Sequence, residues 1–161
     1  MTDETPTTQP TTGEQQFTIE KIYIKDASLE SPNSPAIFTS KWEPEINLQL
    51  SSAGKQVENS TYEVVLTITI TAKIGEKNAY LAELQQAGIF TLQGFQGAEL
   101  GALLGSYCPG VLYPYAREAV YSLINKGGFP PLYMAPINFD AMWAQQQMDK
   151  AQAADTSVAS H

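Results

Sequence analysis

At 161 residues and 17.6 kDa the chain has room for one domain and one modest core. Nine basic against 17 acidic residues give a net charge of −8 and a pI near 4.5. Nucleic acid and anionic membrane surfaces are therefore poor partners, because their phosphate field would repel the chain. The single cysteine, Cys108, excludes a disulfide framework and fits a reducing compartment. Hydrophobic residues make up 43% and charged ones only 16%, where about 25% charged is usual.

The Thr/Pro/Gln-rich head, Met1–Gln16, has no basic n-region and no apolar h-region, so it reads as a disordered tail and not a signal peptide. Residues 149–161 read as a second disordered tail, leaving one domain over Phe17–Met148. The longest uncharged run, Leu100–Ala116, is interrupted by Pro109, Gly110 and Pro114 and is too broken to span a membrane. The expected setting is the cytoplasm.

Phe17–Asp26 is strand-like, with apolar parity slipping between Ile19 and Ile22, the mark of a bulge or a strong twist. Ala27–Pro44 reads as a long connection with three prolines, and it carries Ile37, Phe38 and Trp42, which ordinary surface loops avoid. Glu45–Ser51 alternates with Ile46, Leu48 and Leu50 on one face. Thr61–Ile74 alternates most clearly, Tyr62, Val64, Leu66, Ile68, Ile70, Ala72 and Ile74 opposing a Thr-rich wet face. Gly75-Glu76-Lys77-Asn78 reads as the turn into a strand over Ala79–Ala87. After Gly88 the period becomes helical. Gly97–Tyr107 reads as one helix stopped by Cys108-Pro109-Gly110, and about Val111–Lys126 as a second, closed by Gly127-Gly128. Phe129–Ile137 is a proline-rich loop, and Asn138 caps a short last helix whose face is Phe139, Met142 and Trp143. Strands first and helices second make an α+β fold.

Charge placement adds to this. Leu84–Met148 holds only Glu99, Arg117, Glu118, Lys126 and Asp140. Sixty-five residues with five charges need cover from a sister subunit or a bound chain.

No catalytic constellation emerges. The only histidine is His161 at the very end, so Ser-His-Asp and Cys-His chemistry has no base. No Walker A loop, G-x-G-x-x-G fingerprint or zinc spacing is present, so no cofactor or metal is expected. Gly97, Gly101 and Gly105 recur every four residues and form a strip without side chains, suited to close packing on the chain's own sheet or on a second subunit. Phe38, Trp42, Tyr80, Phe129 and Trp143 read either as ordinary core or as a groove accepting apolar side chains of another chain. Three classes stay open on the residues alone: a binder of unfolded chains, a small-ligand or catalytic α+β domain, and an oligomeric adaptor.

Several motifs carry a resemblance. F-x-I-x-x-I-Y-x-K-D at Phe17–Asp26, Trp42-x-Pro44-Glu45 and Tyr62-Glu63-Val64-Val65-Leu66 resemble the SecB family of bacterial protein-export chaperones. So do Gln85-x-x-Gly88-Ile89-Phe90, Tyr107-Cys108-Pro109 and Leu112-x-Pro114-Tyr115-Ala116-Arg117-Glu118. Gly127-x-Phe129-Pro130 and Ala135-Pro136-x-Asn138-Phe139-Asp140-Ala141 complete a collinear series from Phe17 to Trp143. The resemblance implies a homotetramer, built as a dimer of dimers, that binds unfolded preproteins without ATP and hands them to the SecA motor ATPase. It also implies a client-binding groove at Trp42, Ile46, Tyr80 and Trp143, and a SecA-docking surface at Asp26, Glu30, Leu81 and Glu83. A strand cysteine frequent in the family is replaced here by Ala82. Gly97, Gly101 and Gly105 are the candidate subunit-interface positions.

Overall fold

The computed structural model describes residues 13–158. Four antiparallel strands form one sheet in the order β1-β4-β3-β2: β1 Gln16–Glu30, β2 Glu45–Glu58, β3 Thr61–Ile74 and β4 Lys77–Gln93. The β3–β4 hairpin turns at Gly75, whose φ of +60° a residue with a Cβ rarely adopts. The chain leaves β1 at one edge and returns as β2 at the other, carrying a 3-10 turn at Ala36–Thr39.

Period-two alternation decides which face is buried. Val64, Leu66, Ile68, Ile70 and Ala72 of β3 are fully buried, as are Leu84 and Phe90 of β4. Helical residues Cys108, Leu112, Ala116, Val120 and Ile124 cover them. Gly88 lets this layer close: a Cβ there would stand 2.7 Å from the Phe90 ring and 2.9 Å from a Leu112 methyl. The other face, with Thr67, Thr69 and Thr71, stays half-exposed.

The expected parity slip in the first strand is a register shift between Ile19 and Lys21, and a second shift follows between Ile24 and Asp26. At that second irregularity the buried Gln86 side chain donates from Nε2 to the Tyr23 carbonyl at 3.0 Å.

Several boundaries differ from the sequence reading. β1 runs on to Glu30 and β2 to Glu58, because Ala27–Glu30 and Ser52–Glu58 find ladder partners although their apolar patterns have faded. β4 continues through Gly88 to Gln93, since Ile89–Thr91 keep both neighbours and the alternation resumes. The helices expected to break at Cys108-Pro109-Gly110 form one run: α1 Gly97–Ala102, a π turn Leu103–Tyr107, and α2 Cys108–Lys126. A proline ring clashes with the carbonyl four residues before it, and the wider turn moves that carbonyl aside. The Cys108 N–H accordingly bonds to Leu103 O, five residues back.

The last helix, α3 Phe139–Val158, is longer than expected and includes most of the segment read as a disordered tail. Its first turn is capped by Asn138, whose Oδ1 accepts from the Ala141 N–H at 3.0 Å. At the other end, Gln16 belongs to β1, and Gln15 donates to Glu99 at 3.0 Å. The remainder of the expected head, residues 1–12, and residues 159–161 lie outside the described residues. None of the helices among the described residues is long and apolar enough to cross a membrane.

Candidate functional site

The crossover between β1 and β2 delivers Phe38 and Trp42 to one end of the sheet. There they meet Tyr80 of β4 and Phe129, which follows the Gly127-Gly128 close of α2. Ring centroids lie 4.9 Å apart for Tyr80–Phe129, 5.1 Å for Phe38–Phe129 and 5.7 Å for Trp42–Phe129. Trp42 stacks on Tyr80 at 6.3 Å. Gly128, with φ +83°, supplies the sharp bend that tucks Phe129 back against Phe38.

The cluster has a floor and a rim. Tyr80 and Phe129 are buried, whereas Trp42 is half-buried and Phe38 is 50% exposed. Burial raises the Tyr80 phenol above its ordinary value. Tyr80, expected to line the groove, is 1% exposed and lies beneath the rim. Ile46 opens the inner face of β2 beside Ala72, followed by Leu48, 39% exposed, and Leu50. This apolar row leads away from the aromatic rim along the edge strand.

Trp143 does not join the cluster. Its indole lies on α1 and the π turn, where a Cβ on Gly105 would fall 2.2 Å from the ring and one on Gly101 3.8 Å. Trp143 and the Trp42–Tyr80 pair, expected in one groove, thus lie in two separate places in the chain. Within the chain, Gly101 and Gly105 face Trp143 of the last helix. Gly97 stands at the start of α1 in open space with φ +59°.

Asp26, Glu30, Leu81 and Glu83 come together on the outer face. The register sets Glu30 opposite Leu81, Ser28 opposite Glu83 and Asp26 opposite Gln85, with Thr71, Thr69 and Thr67 continuing the rows onto β3. Asp26 and Glu30 are exposed, while Leu81 and Glu83 are half-buried. The result is a flat surface with three carboxylates along one margin.

Farther along that face, Tyr23 donates its hydroxyl to Glu63, and the Lys25 ammonium pairs with the same carboxylate at 2.8 Å. The Lys25 and Tyr23 hydrogen bonds hold the Glu63 carboxyl below its ordinary value. Burial, with Glu63 beside it, pushes the Tyr23 phenol up to about 12. This trio was not anticipated, because Tyr23 and Lys25 lie 40 and 38 residues from Glu63 and meet it only through β1–β4–β3 pairing. Burial also raises the Cys108 thiol to about 12, so it stays protonated as a packed side chain at the start of α2.

An apolar rim thus lies at one end of the sheet and three carboxylates at a margin of its outer face. The family model for SecB, described as preprotein translocase subunit SecB, matches residues 10–150, and the chain belongs to that family. The protein-export protein SecB of Methylococcus capsulatus is 59% identical over 141 residues, covering 87% of this chain and 91% of that one. The Nitrosococcus oceani protein of the same name is 54% identical, covering 89% and 88%. Among solved structures, a SecB-like chaperone of Mycobacterium tuberculosis in complex with a ChAD peptide from the HigA1 antitoxin shares the fold. Its TM-score is 0.61 at 19% identity, covering 75% of this chain and 90% of that one.

Proposed function

We propose that this chain is an ATP-independent chaperone that binds unfolded preproteins, keeps them competent for export and delivers them to the SecA motor ATPase. The observation that carries the reading is the half-open aromatic cluster, continued by Ile46, Leu48 and Leu50 along an edge strand. Phe38 and Trp42 offer apolar area to a client, and Phe129 and Tyr80 hold them in place. Each Å² of apolar area removed from water stabilises binding by about 25 cal/mol. Several docked side chains therefore suffice for capture, with no covalent chemistry. Trp143 enters the reading as a second, separate aromatic element and not as part of the same rim.

The acting form in this reading is a homotetramer, a dimer of dimers. Exposed Tyr107, Tyr115 and Tyr121 on the helical run, in the half of the chain with five charges, support such an assembly. An extended client touching several subunits gains avidity over each weak contact. Asp26, Glu30, Leu81 and Glu83 form the SecA-docking surface, a role their shared face and negative charge support.

Phe38→Ala with Trp42→Ala tests the core of the reading. The double variant should lose suppression of aggregation of an unfolded client while native mass remains that of a tetramer. Unchanged suppression removes the rim from the account. A native chain that holds folded and unfolded clients alike, or neither, defeats the chaperone reading itself.

A further inference from the structure

β1 changes parity twice along its length. Directly paired residues of an antiparallel sheet share a face, so the register against β4 fixes the side each β1 residue takes. Phe17 and Ile19 pair with the buried Leu92 and Phe90, Ile22 and Ile24 with Gly88 and Gln86, and Ala27 and Leu29 with Leu84 and Ala82. The inner residues are thus odd-numbered, then even, then odd again. Glu20 and Lys25 are the extra residues of the two bulges that make these changes. Without the second bulge, the even parity of Ile22 and Ile24 would carry Asp26 and Glu30 inward and turn Ala27 and Leu29 outward.

That second bulge is held from both faces. From the inner side, Gln86 lies opposite Ile24, is 3% exposed, and donates from Nε2 to the Tyr23 carbonyl at 3.0 Å. A buried side-chain amide therefore bonds the backbone of β1 next to the point where the bulge disrupts the regular ladder. From the outer side, the ammonium of Lys25, the extra residue itself, pairs with Glu63 of β3 at 2.8 Å. Tyr23 donates its hydroxyl to the same carboxylate. Past the bulge, Leu29 is seated inward, its methyls 3.0 and 3.1 Å from where a Cβ on Gly127 would stand. Glu30 beside it then faces outward.

We propose that Gln86 and Glu63 are positioning residues for the acidic face: by fixing the bulge at Lys25 they turn Asp26 and Glu30 outward, beside Leu81 and Glu83. Neither needs to touch a partner. Both act through the course of β1, Gln86 at the Tyr23 carbonyl and Glu63 at Lys25. The inference rests on the docking reading above and adds the two residues that aim its carboxylates. Deletion of Lys25 is the counterpart of the bulge. It removes the extra residue, so that Asp26 follows Ile24 in regular alternation and still faces outward. In such a chain no bulge is left for Gln86 and Glu63 to hold.

The test compares the full chain with the Lys25 deletion, each with and without Gln86→Met, which keeps the bulk and removes the amide. Amide exchange over Asp26–Glu30 reads the bulge, and affinity for SecA at low salt reads the face. In the full chain, Gln86→Met should speed that exchange and weaken SecA binding by roughly twofold to tenfold, the range one hydrogen bond supplies. In the deletion background it should change neither, whereas a general loss of core packing would act equally in both. Glu63→Gln should follow the same pattern, and it carries the comparison if Gln86→Met fails to fold. A direct contact of Glu63 with SecA would instead persist in the deletion background. Equal losses in both backgrounds overturn the proposal, and so does unchanged exchange in both full-chain variants. Faster exchange with undisturbed SecA affinity overturns it too, as does a loss of affinity that tracks a change in native mass. If wild-type affinity for SecA is insensitive to Asp26→Lys with Glu83→Lys, the docking reading itself falls, while the exchange data still report whether Gln86 and Glu63 hold the bulge.

Discussion

Phe129→Ala should cost the fold about 4 kcal/mol, and the arithmetic comes from its place under the rim. A phenylalanine side chain buries at least ~150 Å², and at about 25 cal/mol per Å² near-complete burial is worth close to 4 kcal/mol. Phe129 is 4% exposed, so almost all of that is lost on truncation. Its ring also contacts Phe38, Trp42 and Tyr80 at once, so no single neighbour can move in to fill the space. Measured Phe→Ala losses of about 3–5 kcal/mol bracket the figure. At roughly 2–4 °C per kcal/mol for a chain of this size, the midpoint of thermal unfolding should fall by about 8–16 °C. Far-UV circular dichroism at fixed protein concentration reads it. Tyr133→Ala is the control: that ring is 79% exposed and its removal should shift stability by less than about 0.5 kcal/mol. A loss below about 1 kcal/mol for Phe129→Ala would mean that the cluster collapses freely, and the floor-and-rim account would then fail.

Glu63→Gln should lower stability near neutral pH by about 1 kcal/mol, a charged hydrogen bond discounted for the half-exposed Lys25 partner. Because the Glu63 carboxyl is held down in the fold, its contribution is present above 4.5 and lost as pH falls through the folded value. Tyr23 is raised, so its share is present below 10 and lost as pH climbs toward 12. Urea titrations of parent and variant across pH should therefore converge at the acid end, and a constant gap there contradicts the trio. Gly88→Ala drives a methyl into Phe90 and Leu112 and should cost about 1–3 kcal/mol by overpacking; a neutral result in a denaturant titration would show that α2 is not tightly seated there. Asp26→Lys with Glu83→Lys should weaken SecA association, most at low salt, while client capture and native mass stay normal. Undisturbed SecA affinity would separate the acidic face from docking.

The sheet was legible in the sequence wherever one face alone is buried. Thr61–Ile74 alternates because its inner residues meet helices while its threonines stay half in water, and period two follows directly. The signal faded at the edges, where β2 beyond Ser51 and β1 beyond Asp26 are held by ladder hydrogen bonds and their side chains are largely exposed. Pro109 misled for a different reason. Local rules make proline a helix stop, whereas a π turn just before it keeps the run continuous, and nothing in five residues of sequence separates these outcomes. The site divided in the same way. Asp26, Glu30, Leu81 and Glu83 were placed on one surface by the resemblance, and pairing of β1 with β4 brings them there. Trp143 was grouped with Trp42, Ile46 and Tyr80 by the resemblance alone. Its true neighbour, Gly105, shows itself only as an absent side chain.

One strand thus serves two surfaces by parity alone. On β4, Tyr80, Ala82 and Leu84 point to the buried side, and Leu81, Glu83 and Gln85 to the outer side. A substitution at Glu83 changes the acidic face without touching a core contact, and one at Tyr80 removes the floor of the rim without altering outward charge. The two surfaces still share a backbone, and Glu83 lies three residues from Tyr80 along it. In the proposed reading, client side chains pressing on Trp42 would load, through Tyr80, the same strand that displays Leu81 and Glu83. Rigidity of the central pair limits how far that load can bend it, since β3 and β4 are paired along nearly their whole length. Edge strand β2 and the lightly held α3 are free to give way first. In the proposed reading, the client-binding side would adapt at β2 and α3, and the proposed docking side would keep its shape while the client changes.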